Sequence, residues 1–416
     1  MLPFLEAVPL ILKSFFLAFV NLQFLLLFLV VMALIALQYG RMERIREDFF
    51  GVKTGLARAD ILSATGFGLL GGLAGSFLAV FTGLTVSGEL YYLWAVAVLL
   101  MLINMRFLCF AYAGGVLAFS HLLLGFPAIN VPQILALVAV LHMVESFLIL
   151  VSGHLGAVPA YIKGAGGKVV GGFTLQKFWP IPIIVLAVIT GVTVEGGVEM
   201  PDWWPLIRPG IPGDPRNLTY LLLPVVAGLG YGDVAIARSP AEKSRLSSLC
   251  LGAYSLLLLV LAVLADQSRA VAVAAALFSP LGHEAVIFAG RALELKGKPL
   301  YVPPEKGVRV LDVIPDSPAW RLGLRPGDVV LAFDGQELSG SADFYSRLKE
   351  AFLPLTVDYR SQATGTPRRG VMLPPAPGRP WGIVTVPEAE EDRYVELFTT
   401  GPLGRWLLQG LRKFMS

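Results

Sequence analysis

Charge is scarce in this 416-residue chain. Only 15% of its residues are charged and 55% are hydrophobic, against roughly 25% and 45–50% in soluble domains, which excludes a single soluble globule. An excess of one sign is lacking too. The formal net charge is +3, and the basic residues come in short clusters between apolar runs, so nucleic-acid binding has no support. Cysteine is almost absent: Cys109 and Cys250 lie far apart, each in an apolar run, and give neither a disulfide framework nor a zinc-ligand spacing. Both read as packing residues. There is no Gly-rich phosphate cradle and no nucleophile elbow, and no cofactor is implied. No basic, apolar, small-residue pattern marks a cleaved signal peptide, because the first apolar run continues to about Gln38.

What charge there is gathers at one end. Residues 291–416 carry 32 of the formally charged side chains, and residues 1–290 carry the other 31 among almost continuous apolar runs. This shift predicts an α-helical multi-spanning membrane domain over 1–290, a soluble module over 298–386 and a tail over 387–416. A spanning helix needs about 20 mostly apolar residues. That ruler gives candidates near 14–38, 61–83, 91–105, 107–125, 132–152, 179–196, 218–236, 247–265 and 270–289, and a count between six and nine helices. Lys and Arg collect at 41–58, 163–177 and 238–245, which predicts those loops to be cytoplasmic, together with everything after Arg291. The pattern agrees with nine crossings, an odd number, and an external N-terminus. Gly68 and Gly72, with Gly71 and Gly75, repeat at four-residue spacing, which allows close helix packing within the chain or a homo-oligomer contact.

Ionisable residues inside a membrane are costly and therefore candidates for function. His142 and Glu145, at i and i+3, share a helix face and read as a buried hydrogen-bonded pair. A metal or proton site there would need further ligands, for which His121, His154, His283 and Glu284 are the reserves. No recurring spacing ties them together, so no metal is expected. His283-Glu284 also invites comparison with intramembrane metalloproteases, whose zinc helix needs a second histidine one turn on. Ile287 stands at that position, which argues against such an enzyme and leaves His283 and Glu284 as anchors of the last helix at the cytoplasmic interface. A transporter reading would take Trp179-Pro-Ile-Pro182 and Gly228-Leu-Gly-Tyr-Gly232 as breaks in membrane helices.

In the soluble module, Val308, Val310 and Val313 predict a strand, and Ser317-Pro318 starts a short helix that Gly323 ends. Val329–Phe333 is a strand closed by the Asp334-Gly335 turn. Phe344, Tyr345 and Leu348 recur at helical spacing in a second helix capped by Ser339 or Ser341, and 355–360 and 370–373 are further strands. Gly307-Val-Arg-Val-Leu-Asp-Val-Ile-Pro-Asp-Ser-Pro-Ala319, Gly323-Leu-Arg-Pro-Gly-Asp328 and Asp334-Gly335 closely resemble a bacterial PDZ domain, and the element order matches the circularly permuted form. That resemblance implies a small α/β domain that takes a cytoplasmic protein or peptide as an added strand beside its second helix. Tyr345, Leu348, Trp381, Gly382 and Ile383 are the candidate peptide-binding residues. Pro299-Leu-Tyr-Val-Pro-Pro304 stands where most of the family holds a terminal carboxylate, so an internal or folded partner is also open.

A membrane body followed by one PDZ domain resembles the MinJ-like topological determinants of cell division. The residues that carry the likeness are Val144-Glu-Ser-Phe147 through Gly153-His-Leu-Gly156, Tyr231-Gly-Asp-Val-Ala-Ile-Ala-Arg-Ser-Pro-Ala-Glu-Lys-Ser-Arg245, and the join from Gly282-His-Glu284 into the module. The resemblance implies a non-enzymatic scaffold that bridges a DivIVA-type polar scaffold and a MinD-type ATPase at septum and poles. In the tail, Leu403, Trp406, Leu407, Leu411 and Phe414 share one helical face beside Arg405, Arg412 and Lys413, which predicts contact with membrane lipid or a partner.

Overall fold

The computed structural model of the chain describes residues 3–50, 55–86, 88, 90–164, 167–190, 197–211, 214, 218–388 and 394. The predicted amphipathic tail, with Leu403, Trp406, Leu407, Leu411 and Phe414, lies outside the described residues.

The membrane part begins with α1 (Pro3–Ala18) and α2 (Leu22–Phe50). The first predicted span, 14–38, is divided between them. Asn21 interrupts the run, its side chain accepting a hydrogen bond from the Phe24 amide at 3.1 Å as an N-cap does. α3 (Ala57–Thr82) follows and ends at Gly83, which takes the left-handed conformation that glycine tolerates best. α4 (Leu90–Ile103) and α5 (Phe110–Leu124) are joined by a tight turn over 104–109. With 14 and 15 residues they reach only about 21–22 Å at 1.5 Å per residue, short of the roughly 30 Å hydrocarbon core. α5 ends where α8 begins, with Arg269 donating to the Leu122 carbonyl at 2.7 Å. The turn between α4 and α5 meets the middle of α6 and α8. The pair is thus a hairpin that re-enters the bundle and turns at its mid-height.

α6 (Val131–Ser152) is capped by Asn130 and buried along most of its length. α7 (Pro240–Ala265) starts with a reciprocal Ser239–Glu242 capping box, and α8 (Arg269–Lys296) leads out of the bundle. Among the described residues five helices, α2, α3, α6, α7 and α8, are long and apolar enough to cross a membrane.

Between α6 and α7 the expectation fails. In segments 179–196 and 218–236, read as spanning helices and as transporter-like broken helices, residues 179–189 and 219–235 form strands instead. β1 (Val158–Lys163), β2 (Val169–Ile189) and β3 (Thr219–Ala235) make an antiparallel sheet in the order β1-β2-β3, and β2 pairs with β3 from Phe173↔Ala235 to Ile189↔Thr219. Pro180, Pro182 and Pro224 recur within these strands, where each would break a helix. Beyond β1, the edge of β2 packs on α3, and in an apolar environment its polar groups need partners.

Those partners alternate along the strand. The Tyr39 hydroxyl contacts both the N–H and the C=O of Phe178, at 3.2 and 3.3 Å. Pro180 and Pro182 have no N–H. Ser76 Oγ accepts from the Ile184 N–H at 2.8 Å, and Leu186 exchanges bonds with Leu84 and Val86. Gly68 and Gly72 let α3 approach, since a Cβ there would stand 2.3 and 1.9 Å from the carbonyl oxygens of Pro180 and Pro182. The glycine repeat therefore packs within the chain, with Gly71 and Gly75 against Leu148 and Val144 of α6.

The soluble module contains β4 (Val308–Val313), α9 (Pro318–Leu322), β5 (Val329–Phe333), β6 (Gln336–Glu337), α10 (Ser341–Glu350), β7 (Leu355–Arg360), β8 (Pro367–Met372) and β9 (Ile383–Thr385). Its sheet runs β8-β7-β5-β4-β9, with β6 paired to β5. Local chemistry matches the reading. Ser317 caps α9, Gly323 closes it at φ 94°, and Asp334 and Gly335 both take positive φ in the hairpin turn. α10 departs from it: Gly340 is the N-cap, and Ser339 bonds to Asp343 instead. The module rests on the bundle through Leu311, Val384 and Val386, which join the main hydrophobic core, and through a bridge between Tyr301 and Gly171.

Candidate functional site

Two places concentrate the chemistry. The first is the cleft between α10 and β9, which Tyr345 lines, while Leu348 and Ile383 belong to the hydrophobic core beside it and Trp381 packs against that core. Tyr345 and Leu348 lie on α10, and Trp381, Gly382 and Ile383 lead into the facing strand. Gly382 is required: at φ +84° its backbone passes so close to Ser317 that a Cβ would stand 2.2 Å from Oγ. On β9, Val386 N–H and Gly382 C=O bond toward the β4 side, so Thr385 turns its N–H and C=O the other way, into the cleft. Both are occupied. Thr385 N–H donates to the Tyr345 hydroxyl at 3.3 Å, and Tyr161 of β1 donates to the Thr385 carbonyl at 3.1 Å. At the other end Trp381 Nε1 donates to the Leu348 carbonyl at 2.8 Å. The cleft also takes in Ser341, Pro387 and Glu388.

The second place is inside the bundle, at the tip of the re-entrant hairpin. Cys109 caps the N-terminus of α5, and its sulfur faces His142 of α6 and His283 of α8, with Sγ–Nε2 distances of 3.2 and 3.7 Å. His142 Nδ1 donates to the Val138 carbonyl at 2.7 Å and makes no hydrogen bond to Glu145, contrary to the expected pair. Glu145, one turn on, is within electrostatic reach of Cys109. His283 Nδ1 lies 3.4 Å from the Tyr112 hydroxyl, which donates to Glu284 at 2.6 Å, and Glu284 pairs with Arg106 of the turn at 3.0 Å. Tyr254 stacks edge-on against both imidazoles.

His283 and Glu284 are thus not interfacial anchors, because α8 continues to Lys296 and both point at the re-entrant turn. Of the predicted intramembrane residues, His142 and His283 come together and Glu284 supports them. His121 bonds to the Pro127 carbonyl away from this cluster. Cys109, read as packing, and Tyr112 and Arg106 were missed. Their signal was only that polar residues flank a short apolar run.

The basic clusters converge at the end of the bundle that faces the PDZ module. Arg46 is buried between Asp60, at 2.9 Å, and the Gly156 carbonyl, at 2.6 Å. Lys177 lies 3.8 Å from the same Asp60, and Lys243 pairs with Asp233 at 3.0 Å. Glu294, fully buried near the end of α8, accepts from the amides of Ile236 and Ala237 and from Arg238. These buried pairs connect α3, α7 and α8 to the sheet and the residues next to it.

Comparison with known proteins gives two matches. The PDZ domain family matches residues 309–351. The chain is 26% identical over 230 residues to the cell division topological determinant MinJ of Bacillus subtilis (strain 168), the match covering 52% of this chain and 52% of that protein. The chain thus matches about half the length of this curated relative. Together the two matches support a MinJ-like protein, in line with the likeness carried by the membrane motifs.

Proposed function

We propose that this chain is an integral-membrane adaptor of division-site selection, without hydrolytic activity, whose cytoplasmic PDZ module recruits a protein partner. The observation that carries the reading is the similarity to MinJ in a chain that joins a helical bundle to a PDZ cleft. Orientation is supported by charge. Arg46, Lys177 and Lys243 belong to the three basic clusters, and all lie at the PDZ end of the bundle, the distribution expected of a cytoplasmic face. Five crossings, an odd number, then leave the N-terminus outside.

On this reading residues 1–290 anchor, 298–386 bind and 387–416 contact lipid or a partner. The cleft strand β9 follows α10 late in the chain, which favours the circularly permuted PDZ form. The partners are a DivIVA-type polar scaffold and a MinD-type ATPase, bridged so that division is blocked away from mid-cell. The test is a full-length fluorescent fusion carrying a photo-crosslinking residue at Ile383, expressed in a rod-shaped Gram-positive host. Septal and polar enrichment with crosslinks to either partner is expected. Even membrane distribution with no crosslink to either would refute the adaptor role. Outside labelling of Ser341→Cys in intact cells would refute the orientation.

A further inference from the structure

The geometry points to a metal site: we infer that Cys109, His142 and His283 bind one divalent transition-metal ion of the zinc class, which staples the re-entrant α4–α5 turn to α6 and α8. The ligand atoms of these three residues all lie within 4.8 Å of one another. In a tetrahedral zinc site with Zn–S about 2.3 Å and Zn–N about 2.0–2.1 Å, sulfur and nitrogen stand about 3.6 Å apart. The observed 3.2 and 3.7 Å bracket that separation.

Proton placement separates a metal from a plain hydrogen-bonded cluster. The Val138 carbonyl can only accept, so His142 carries its proton on Nδ1 and presents a bare Nε2. Tyr112 gives its hydroxyl hydrogen bond to Glu284, which pairs with Arg106 at 3.0 Å. Tyr112 oxygen is therefore left to accept from His283 Nδ1, and His283 also presents a bare Nε2. Two nitrogen lone pairs then converge on one thiol with a single proton. A cation satisfies all three atoms at once. The Val138 carbonyl and the Tyr112–Glu284 pair are the outer partners that metal-bound histidines normally have.

Charge and position agree with this assignment. Cys109 sits at the N-cap of α5, where its sulfur accepts from the Ala111 amide at 3.4 Å. The Cys109 thiolate formed on binding offsets part of the charge of a divalent ion, and Glu145, one turn from His142, stands outside the three-ligand group. Binding sends the thiol proton to solvent and changes no oxidation state. Two imidazoles and a thiolate suit zinc better than magnesium or calcium. The ion would add to the Arg106–Glu284 pair in fixing the turn at that depth. This inference is independent of the adaptor reading, because its test reads metal and not cell division.

The experiment is metal analysis of the full chain purified in detergent without a histidine tag, after equilibration with zinc and desalting. About one zinc per chain is expected, lost in Cys109→Ala, His142→Ala and His283→Ala and kept in Cys250→Ala. Cobalt(II) loading should produce a thiolate-to-cobalt charge-transfer band, and Cys109→Asp, which restores a ligand, should keep the ion without the band. Tyr112→Phe should weaken affinity about 10–100-fold, an effect that packing alone would not produce. A folded wild-type chain that takes up neither ion overturns the inference, as does wild-type retention in the three alanine variants.

Discussion

The packing of α3 on β2 predicts opposite outcomes for the same substitution at three glycines of one helix. Gly66 is exposed with nothing within 4 Å of an added Cβ, so Gly66→Ala should stabilise by up to about 1 kcal/mol through helix propensity. Gly71 faces the end of the Leu148 side chain at 2.9 Å, which can rotate away, so Gly71→Ala should cost at most about 1 kcal/mol. Gly72 faces a backbone oxygen at 1.9 Å, and neither partner can turn aside. Helix and strand would have to separate by about 1 Å to reach contact distance. That movement also breaks the Ser76–Ile184 bond, now 2.8 Å, one turn further along. Overpacking of about 1–3 kcal/mol and a stranded buried amide of about 1–3 kcal/mol together predict a loss of about 2–6 kcal/mol. Unfolding in mixed detergent and SDS micelles, followed by tryptophan fluorescence, measures the series. Equal stability of Gly72→Ala and Gly66→Ala would refute the close approach of α3 to a strand.

Ser76→Ala should cost about 1–3 kcal/mol in the same assay, since it strips the Ile184 amide of its acceptor without changing shape; a neutral result would mean that the edge of β2 is not held there. Asp312 of β4, half-buried where the PDZ module meets the bundle, has its carboxyl pushed up to about 7 chiefly by desolvation, although Arg46 opposes this. Because its folded value lies above the unfolded one, its contribution is full below about pH 4 and is lost as pH rises through 7. Thermal unfolding of the full chain should therefore show a stability decline over that window that Asp312→Asn flattens, and an unchanged profile would count against the burial. Tyr345→Phe combined with Tyr161→Phe should raise partner capture through the cleft by about 5–150-fold, the equivalent of two weak hydrogen bonds, measured by titration of the full chain in nanodiscs with the crosslinked partner; no gain would show that Thr385 is not the limiting contact.

Much of the soluble module was legible because its signals are local. Ser317-Pro318, Gly323 and Asp334-Gly335 each specify a cap or turn within a few residues, and α9, β5 and the β5–β6 hairpin formed where those signals stood. The strands β2 and β3 were misread because hydropathy measures apolar length, and strands of 21 and 17 residues satisfy the same window as a spanning helix. Proline spacing held the correction: Pro180 and Pro182 at period two, amid Ile and Val, suit a strand edge and contradict a helix interior. The Cys109–His142–His283 cluster was beyond such reading, since 33 and 174 residues separate the cysteine from its two histidines and only the re-entrant turn brings them together.

The sheet gives the bundle a face on which the PDZ module rests, and the resting contact reaches into the cleft itself. Tyr161 belongs to β1 of the bundle, yet its hydroxyl occupies the Thr385 carbonyl that an added strand would use. Tyr345, from within the module, occupies the neighbouring amide. An incoming strand must displace both hydroxyls, at about 0.5–1.5 kcal/mol each, before its own ladder forms. One of those two costs depends on the module staying docked. Whatever loosens the contact among Leu311, Val384, Val386 and the bundle therefore also frees one of the two polar groups with which the cleft receives a strand. By reciprocity, a bound strand that takes the Thr385 carbonyl weakens docking by the same free energy, so partner binding and the seating of the module oppose each other.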